Sequence, residues 1–428
     1  MMNRRQFVGL MGGVVLASRT RWAAAQMEGM GDLLNAFAQG RYLPLYNFLL
    51  GRVASGSQAI EELRTQVAAM VGNEEIAIAS VGSSDPSVPD LEHAIATEAV
   101  AVIAKAAKFR QVVMINEAHV ASQTREFNAR VVVALKKLGF QVLAAETFSA
   151  SGAHEPDIAD WRAGLGIPPD MGFYTKDPIF AEAVRNALAL DYKLANYEAR
   201  QGQQQTTLSQ DEGKSVGERE EAQASNLIEE IFTKQPSARV VVWCGHDHLR
   251  KLPTTNGREL FAMRFKRKTG IDPLTIDQAT SWPCFDPSAD SPRVKAVLER
   301  FRPDKAIVVR QADGSVVWST SRDTADLTVF HPRLPHVQGR PGWLVKTPDR
   351  RLVQYRITRA TSKTEVLLQA IHADEQQLSV PADQCLVPPG VEKVALVLRP
   401  GSYRVRLETP DGFVPLGDLE VPRVKLNR

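Results

Sequence analysis

A chain of 428 residues, 44% hydrophobic and 24% charged, has an ordinary globular composition and is too long for one small domain. It has no run of about 18 apolar residues, which excludes an ordinary membrane-spanning helix. Its formal charge of +3 falls to −1 once the four arginines among residues 1–25 are set aside, so a nucleic-acid partner loses its main electrostatic argument.

Residues 1–25 read as an export signal of the twin-arginine type. Arg4-Arg5-Gln6-Phe7 leads into the weakly apolar Phe7–Ala17, and Ala23-Ala24-Ala25 offers a small-residue cleavage site. The expectation is a periplasmic or secreted protein. Its three cysteines, Cys244, Cys284 and Cys385, are an odd number and match no zinc or iron–sulfur spacing. Disulfides are not its framework.

Residues 26–108 read as a helical N-terminal region packing on the core. Ser84-Asp85-Pro86-Ser87 interrupts it, and Pro89–Lys108 follows as one helix with Leu91, Ile95, Ala99, Ile103 and Ala106 on one side. Residues 109–310 then alternate strands and helices. Strands are expected at Gln111–Asn116, Gln141–Ala145, Tyr192–Tyr197, Arg239–Cys244, Asp272–Ile276 and Ala306–Val309. Helices are expected at Ser122–Leu138, Asp177–Leu190, Glu218–Thr233, Gly257–Thr269 and Val294–Phe301. This is the pattern of an α/β fold with a parallel sheet and flanking helices. Thr147–Tyr174 and the polar Arg200–Gly217 are expected as a wall and a loop over the sheet edge. Residues 311–341 read as a linker. Residues 342–428 read as a small β-sandwich with strands at Trp343–Lys346, Leu352–Ile357, Glu365–Ile371, Lys393–Leu398, Ser402–Leu407 and Pro415–Val421.

Successive strands of the α/β region end in ionisable groups: Glu117 with His119, Glu146, Glu198, His246 with His248, and Asp277. In a parallel sheet these ends share one edge, where ligands of open α/β folds bind. Two chemistries suit such a cluster. A histidine, His119, would act as general base with Glu117 or Glu146 orienting it. Alternatively, Glu117, His119, Glu146 and His246 would hold a divalent metal that activates water. His246 and His248, two apart in extended chain, would point to one face, with Asp247 pointing away. Arg125 and Arg219 open helices and would hold an anionic substrate group. His246 would otherwise cap the next helix, and Cys244 reads as a small buried hydrophobe.

The stretch from Asn116-Glu117-Ala118-His119, through Arg125 and Phe127 and Leu135 to Gly139-Phe140, to Leu143-Ala144-Ala145-Glu146 resembles the superfamily of erythromycin esterases, the haem-binding protein ChaN and the TraB/Tiki proteins. Arg219-Glu220 to Asn226 and Val241 to Gly245-His246 extend the likeness across Val112–Gln278. Asn116 stands where that superfamily has glycine, and the Glu-x-His spacing is nearer ChaN and TraB/Tiki than the esterases. The resemblance implies an active-site set of Glu117, His119, Glu146 and His246. It covers ester hydrolysis, metal-dependent peptide cleavage and haem binding.

The resulting expectation is an exported hydrolase of an ester or amide, with a small-molecule or peptide substrate and contacts at Arg125, Glu198, Arg219, His248 and Asp277. The cofactor stays open between none, a divalent metal and haem. A periplasmic haem- or metal-binding protein without turnover is the alternative. The C-terminal β-domain would serve an envelope partner.

Overall fold

A computed structural model describes residues 21–52, 57–80, 90–149, 157–207, 211–311, 325–357 and 364–423, with side chains from residue 30. The twin-arginine pair and Phe7–Ala17 lie outside the described residues, as do residues 312–324 of the expected linker, whose remainder is not all linker: Leu327–Thr328 is a strand of the parallel sheet. Ala23–Ala25 stand within the Arg21–Ala38 helix. The described residues divide into two compact units: Ile78–Arg162 with Asn186–Arg333, and residues 21–77 with Ala163–Arg185 and residues 334–423. The helices before Ala77 therefore group with the C-terminal β region, not with the α/β core.

The first unit contains strands β1 (Ile95–Glu98), β2 (Val112–Glu117), β3 (Val142–Ala145), β4 (Lys193–Asn196), β5 (Val240–Gly245), β6 (Leu274–Asp277), β7 (Ile307–Arg310) and β8 (Leu327–Thr328). Six of them form a parallel sheet in the order β4–β3–β5–β2–β6–β8. Every residue of β2, β3, β5 and β6 is buried, as expected of parallel strands covered on both faces. Alternation sorts the side chains between the faces. Val112, Met114, Val142, Ala144, Val240, Val242 and Cys244 share one apolar cluster with Ala224 and Leu227 of the Glu212–Leu227 helix. Phe261 and Phe265 of the Phe261–Thr269 helix complete it. The Ser122–Lys136 helix packs beside β2 and against Ala99–Ala107. Each fully buried Val, Leu or Phe contributes about 1.5–3 kcal/mol, which makes the sheet a firm platform for what its strand ends carry.

Two expectations fail here. Pro89–Lys108 is not one helix: β1 precedes a helix that begins only at Ala99. The Glu98 carboxylate accepts from the Ala101 N–H at 2.8 Å, an N-cap that starts the helix there. β1 pairs antiparallel with β7, so β7 is not a strand of the parallel sheet. The segment after Ser122 does stop where Gly139 takes a left-handed φ of +83°.

The second unit holds the Leu43–Leu50 and Gln58–Met70 helices and strands β9 (Arg351–Arg356), β10 (Val366–His372), β11 (Asp383–Val387), β12 (Lys393–Leu398), β13 (Gly401–Thr409) and β14 (Gly412–Val421). These form a four-stranded antiparallel sheet, β11–β10–β13–β14, and a β12–β9 pair. Leu368, Leu396, Tyr403 and Leu407 join both in one apolar cluster. Trp343–Lys346 is not a strand but part of a helical turn, Gly342–Val345, entered through Pro341. β11 escapes the sequence pattern because it buries Asp383 and Gln384, which are satisfied by Arg340 and Gln369. Among the described residues no helix is long and apolar enough to cross a membrane.

Candidate functional site at the carboxyl edge of the parallel sheet

The strand order decides which ends meet. β5 lies between β2 and β3, so Gly245 and His246 arrive between the Glu117–His119 turn and Glu146. The sequence places β2 and β3 as successive strands, but they are not neighbours.

Glu117 ends β2 and is 3% exposed, a burial that demands compensation. Arg125, fully buried in the first turn of the following helix, donates through Nε to Glu117 Oε2 at 2.8 Å. His119 Nδ1 stands 2.7 Å from the other oxygen, Oε1. Arg125 also donates to the His119 carbonyl at 3.1 Å, which closes the turn. Burial by itself would raise the Glu117 pKa, but Arg125 and His119 hold it down to about 2. An ionised Glu117 keeps a proton on Nδ1 of neutral His119, so the basic nitrogen is Nε2.

His246 meets His119 edge-to-face, with ring centroids 4.7 Å apart. Its ring is exposed and so feels burial only in part. Its pKa still lies below an ordinary imidazole's, because the surrounding protein disfavours its charge and His119 stands beside it. Glycine at 245 makes this approach feasible. A Cβ there would lie 2.8 Å from His119 Cε1 and 2.9 Å from Nε2.

The neighbouring groups form a second, more saturated cluster. Glu146 Oε2 accepts the Gly245 N–H at 2.7 Å, and Oε1 accepts from Arg219 at 2.5 Å. Arg219 also bonds both oxygens of Glu198, at 3.0 and 2.5 Å, and Gln223 donates to Glu198 at 3.1 Å. His248 lies 3.5 Å from Glu146 and 2.7 Å from Glu220, the latter an ion-pair contact without the alignment of a hydrogen bond. Burial opposes its charge, but Glu220 and Glu146 outweigh that and raise its pKa well above 6.5. Glu146 is held well below the carboxylate range: burial works against it, and His248 and Arg219 override that.

The expected site residues are thus partly reunited. Glu117, His119, Arg125 and His246 form one group. Glu146, Glu198, Arg219 and His248 form an adjoining one, in which Arg219 is committed to the two carboxylates. Asp277 stands apart from His119 and accepts from Asn116 at 2.6 Å. His246 and His248 do not share a face of extended chain. They lie in a 3-10 turn, His246–Leu249, that sends one to His119 and the other to Glu146 and Glu220. Residues 211–217 are not loop: the helix starts at Glu212, capped by Asp211. Gln203 and Gln204, from the expected loop, are bonded to Asn226 and Ser215 of that helix. From Ala163 onward the expected wall belongs to the second unit.

Glu220 was not singled out from sequence, although a signal existed. Ser215, Glu220, Gln223 and Asn226, all buried, recur at helical spacing and mark a polar stripe facing inward. The donor set does not fit a metal centre. Both oxygens of Glu117 and of Glu146 are engaged by protein donors. Among the described residues no group of three or more His, Cys, Asp or Glu is arranged to hold a metal ion. Nor is this charged edge the apolar slot that a haem requires. Cys244 is buried and its thiol pKa is raised by that burial, as for a core residue.

No protein-family profile matches the chain, and no curated protein matches it in sequence. Among solved structures it is similar to the type III effector HopBA1, at 14% identity over 54% of this chain and 93% of that one, with a TM-score of 0.34. It is similar to a structure titled bacterial protein toxins, at 16% identity over 42% of this chain and 37% of that one, TM-score 0.31. A third is RRSP, a MARTX toxin effector domain from Vibrio vulnificus CMCP6, at 15% identity over 54% and 42%, TM-score 0.32. The chain spans less than half the length of the last two.

Proposed function

We propose that the chain is an exported hydrolase of an ester or amide bond, a divergent member of the erythromycin esterase, ChaN and TraB/Tiki-like superfamily. His119 is its general base. The observation that carries this reading is the bridge made by Glu117 between Arg125 and His119, at 2.8 and 2.7 Å. Arg125 keeps Glu117 ionised, and Glu117 sets the His119 tautomer and stabilises the imidazolium once Nε2 takes a proton from water. Exposure rises along the relay, with side chains at 0% for Arg125, 4% for Glu117 and 15% for His119, so the proton-accepting end is the one that meets solvent. Protonated His119 then returns that proton to the leaving group, with His246 beside it as a neutral imidazole. Small-molecule esters and peptides are the substrates to screen.

The test uses purified protein lacking residues 1–25, assayed on ester and peptide panels with and without chelator, with metal content and haem absorbance measured. Chelator-insensitive turnover that falls about 100-fold or more in His119→Ala supports the proposal. Turnover equal in His119→Ala and wild type, or bound haem without turnover on any substrate, sinks it. Recovery of the processed chain from the periplasm, lost when Arg4 and Arg5 are replaced by lysine, tests export.

A further inference from the structure

The two candidate histidines come from different strands, and the second needs a hold. The β2–β5 ladder ends at the Glu117–Gly245 pair, so His246 is the first residue beyond it. Its ring carries no hydrogen bond or ion pair among the described residues; it only abuts His119. Its main chain is gripped instead. Asn116, 1% exposed, donates through Nδ2 to the His246 carbonyl at 2.8 Å and to Asp277 Oδ1 at 2.6 Å. The side chain of Asn116 thus supplies a rung where the main-chain ladder has run out.

The orientation of that amide is forced. Asn116 Oδ1 accepts from the main-chain N–H of Gln278 at 2.8 Å, and an N–H can only donate. Gln278 Nε2 donates to the Asn116 carbonyl at 2.7 Å and to Asn128 Oδ1 at 2.6 Å. Its Oε1 must then accept, and His331 Nε2 donates to it at 2.8 Å. His331 is 1% exposed, and burial keeps it neutral. Behind Asn116 there is thus a directional, buried network with no slack, and such networks rigidify what they hold.

We infer that Asn116 is a positioning residue of the candidate site: by holding the His246 carbonyl it sets where the His246 ring meets His119. The inference rests on the reading of these histidines as the reactive pair. Replacement by aspartate would turn a carboxylate oxygen toward Asp277 and the His246 carbonyl, so shape would be kept and the grip lost.

The test labels the histidine rings of the protein with ¹⁵N and compares Asn116→Ala and Asn116→Asp with wild type. Asn128→Ala, which loosens the network without touching the His246 carbonyl, is the control. The expected result is that ring signals of His119 and His246 shift in both Asn116 variants, while His372 stays put and Asn128→Ala leaves the His119 and His246 signals in place. On any hydrolysed substrate, kcat is expected to fall about 10- to 100-fold with KM within about twofold, as for a misplaced reacting group. If Asn116→Ala does not fold, Asn116→Ser is read in the same way. Unchanged His119 and His246 signals in a folded Asn116 variant, or equal shifts in Asn128→Ala, overturn the inference. Shifted signals in a protein without turnover support the positioning role and overturn the hydrolase reading, so the two failures are distinct.

Discussion

Among the described residues each of the two units holds a cluster of histidine, glutamate and arginine, and the two differ in what surrounds them. In the first unit His119 faces Glu117, which is backed by Arg125. In the second unit His372 Nε2 lies 2.8 Å from Glu182 Oε1, and Glu182 is held by Arg185 at 3.0 Å and Arg399 at 2.8 Å. Their surroundings differ. Arg185 is also bonded to both oxygens of Glu375 at 2.7 Å, and Tyr403 packs 4.9 Å from the His372 ring, so the second cluster ties a helix to β10 and its neighbours. His119 instead sits at the carboxyl end of a parallel strand, beside a second imidazole and a glycine that leaves space for it. A His–Glu–Arg set becomes a candidate for chemistry when its histidine stands at the strand-end edge beside other ionisable groups, not when it ties a helix to an antiparallel sheet.

The largest effect that sharpens this contrast is on stability. Arg125→Met leaves the Glu117 charge buried with His119 as its main partner and is expected to cost about 3–5 kcal/mol in urea unfolding. Arg399→Met in the second cluster, where Glu182 keeps Arg185, should cost clearly less. Equal losses would erase the distinction.

Next in size is the pH dependence, which the first unit carries with both signs. The folded pKa of Glu117 is depressed to about 2 from 4.5. Its stabilisation is therefore complete above about pH 4.5 and is lost as pH falls toward 2, on the order of 3 kcal/mol. The folded pKa of His248 is raised above 6.5. Its stabilisation is full below about pH 6.5 and is lost as pH rises through the folded value. Denaturation curves should lose the acid-side slope in Glu117→Gln and the alkaline-side slope in His248→Gln.

Gly245→Ala should separate geometry from stability. The added methyl meets the His119 ring, a side-chain end that can swing aside, so the melting temperature should move by only a few degrees while turnover falls about 10-fold or more. The smallest effect is expected for His372→Ala: turnover unchanged and about 1 kcal/mol of stability lost.

Much of this was legible in the chain. Val112–Ile115 and Val240–Cys244 are apolar runs bounded by polar residues, and both lie in buried strands that end one residue later than expected, at Glu117 and Gly245. The sequence pattern brought Glu117, His119, Glu146 and His246 to one edge, but it offered Arg125 to an anionic substrate, whereas Arg125 is fully buried and donates to Glu117. Strand order was not legible, because parallel strands carry similar apolar runs and nothing local says that β5 enters between β2 and β3. The 3-10 turn at His246 was hidden for a related reason: Gly245-His246-Asp247-His248 has no period, and its shape follows from Asn116 and Glu146 gripping its main chain. Glu98 concealed the break between β1 and its helix, since a capping acid and a helical one look alike in sequence.

The late entry of β5 also bears on how the molecule is made. Val112 pairs with Val240, so the middle of the sheet closes a long loop before those contacts are rewarded. Until Val240–Gly245 emerges from the ribosome, the facing edges of β2 and β3 have no native strand to pair with. The protein should then depend on protection from wrong pairing during synthesis. His246 follows that strand at once, so His119 and His246 can meet only after β5 has joined β2.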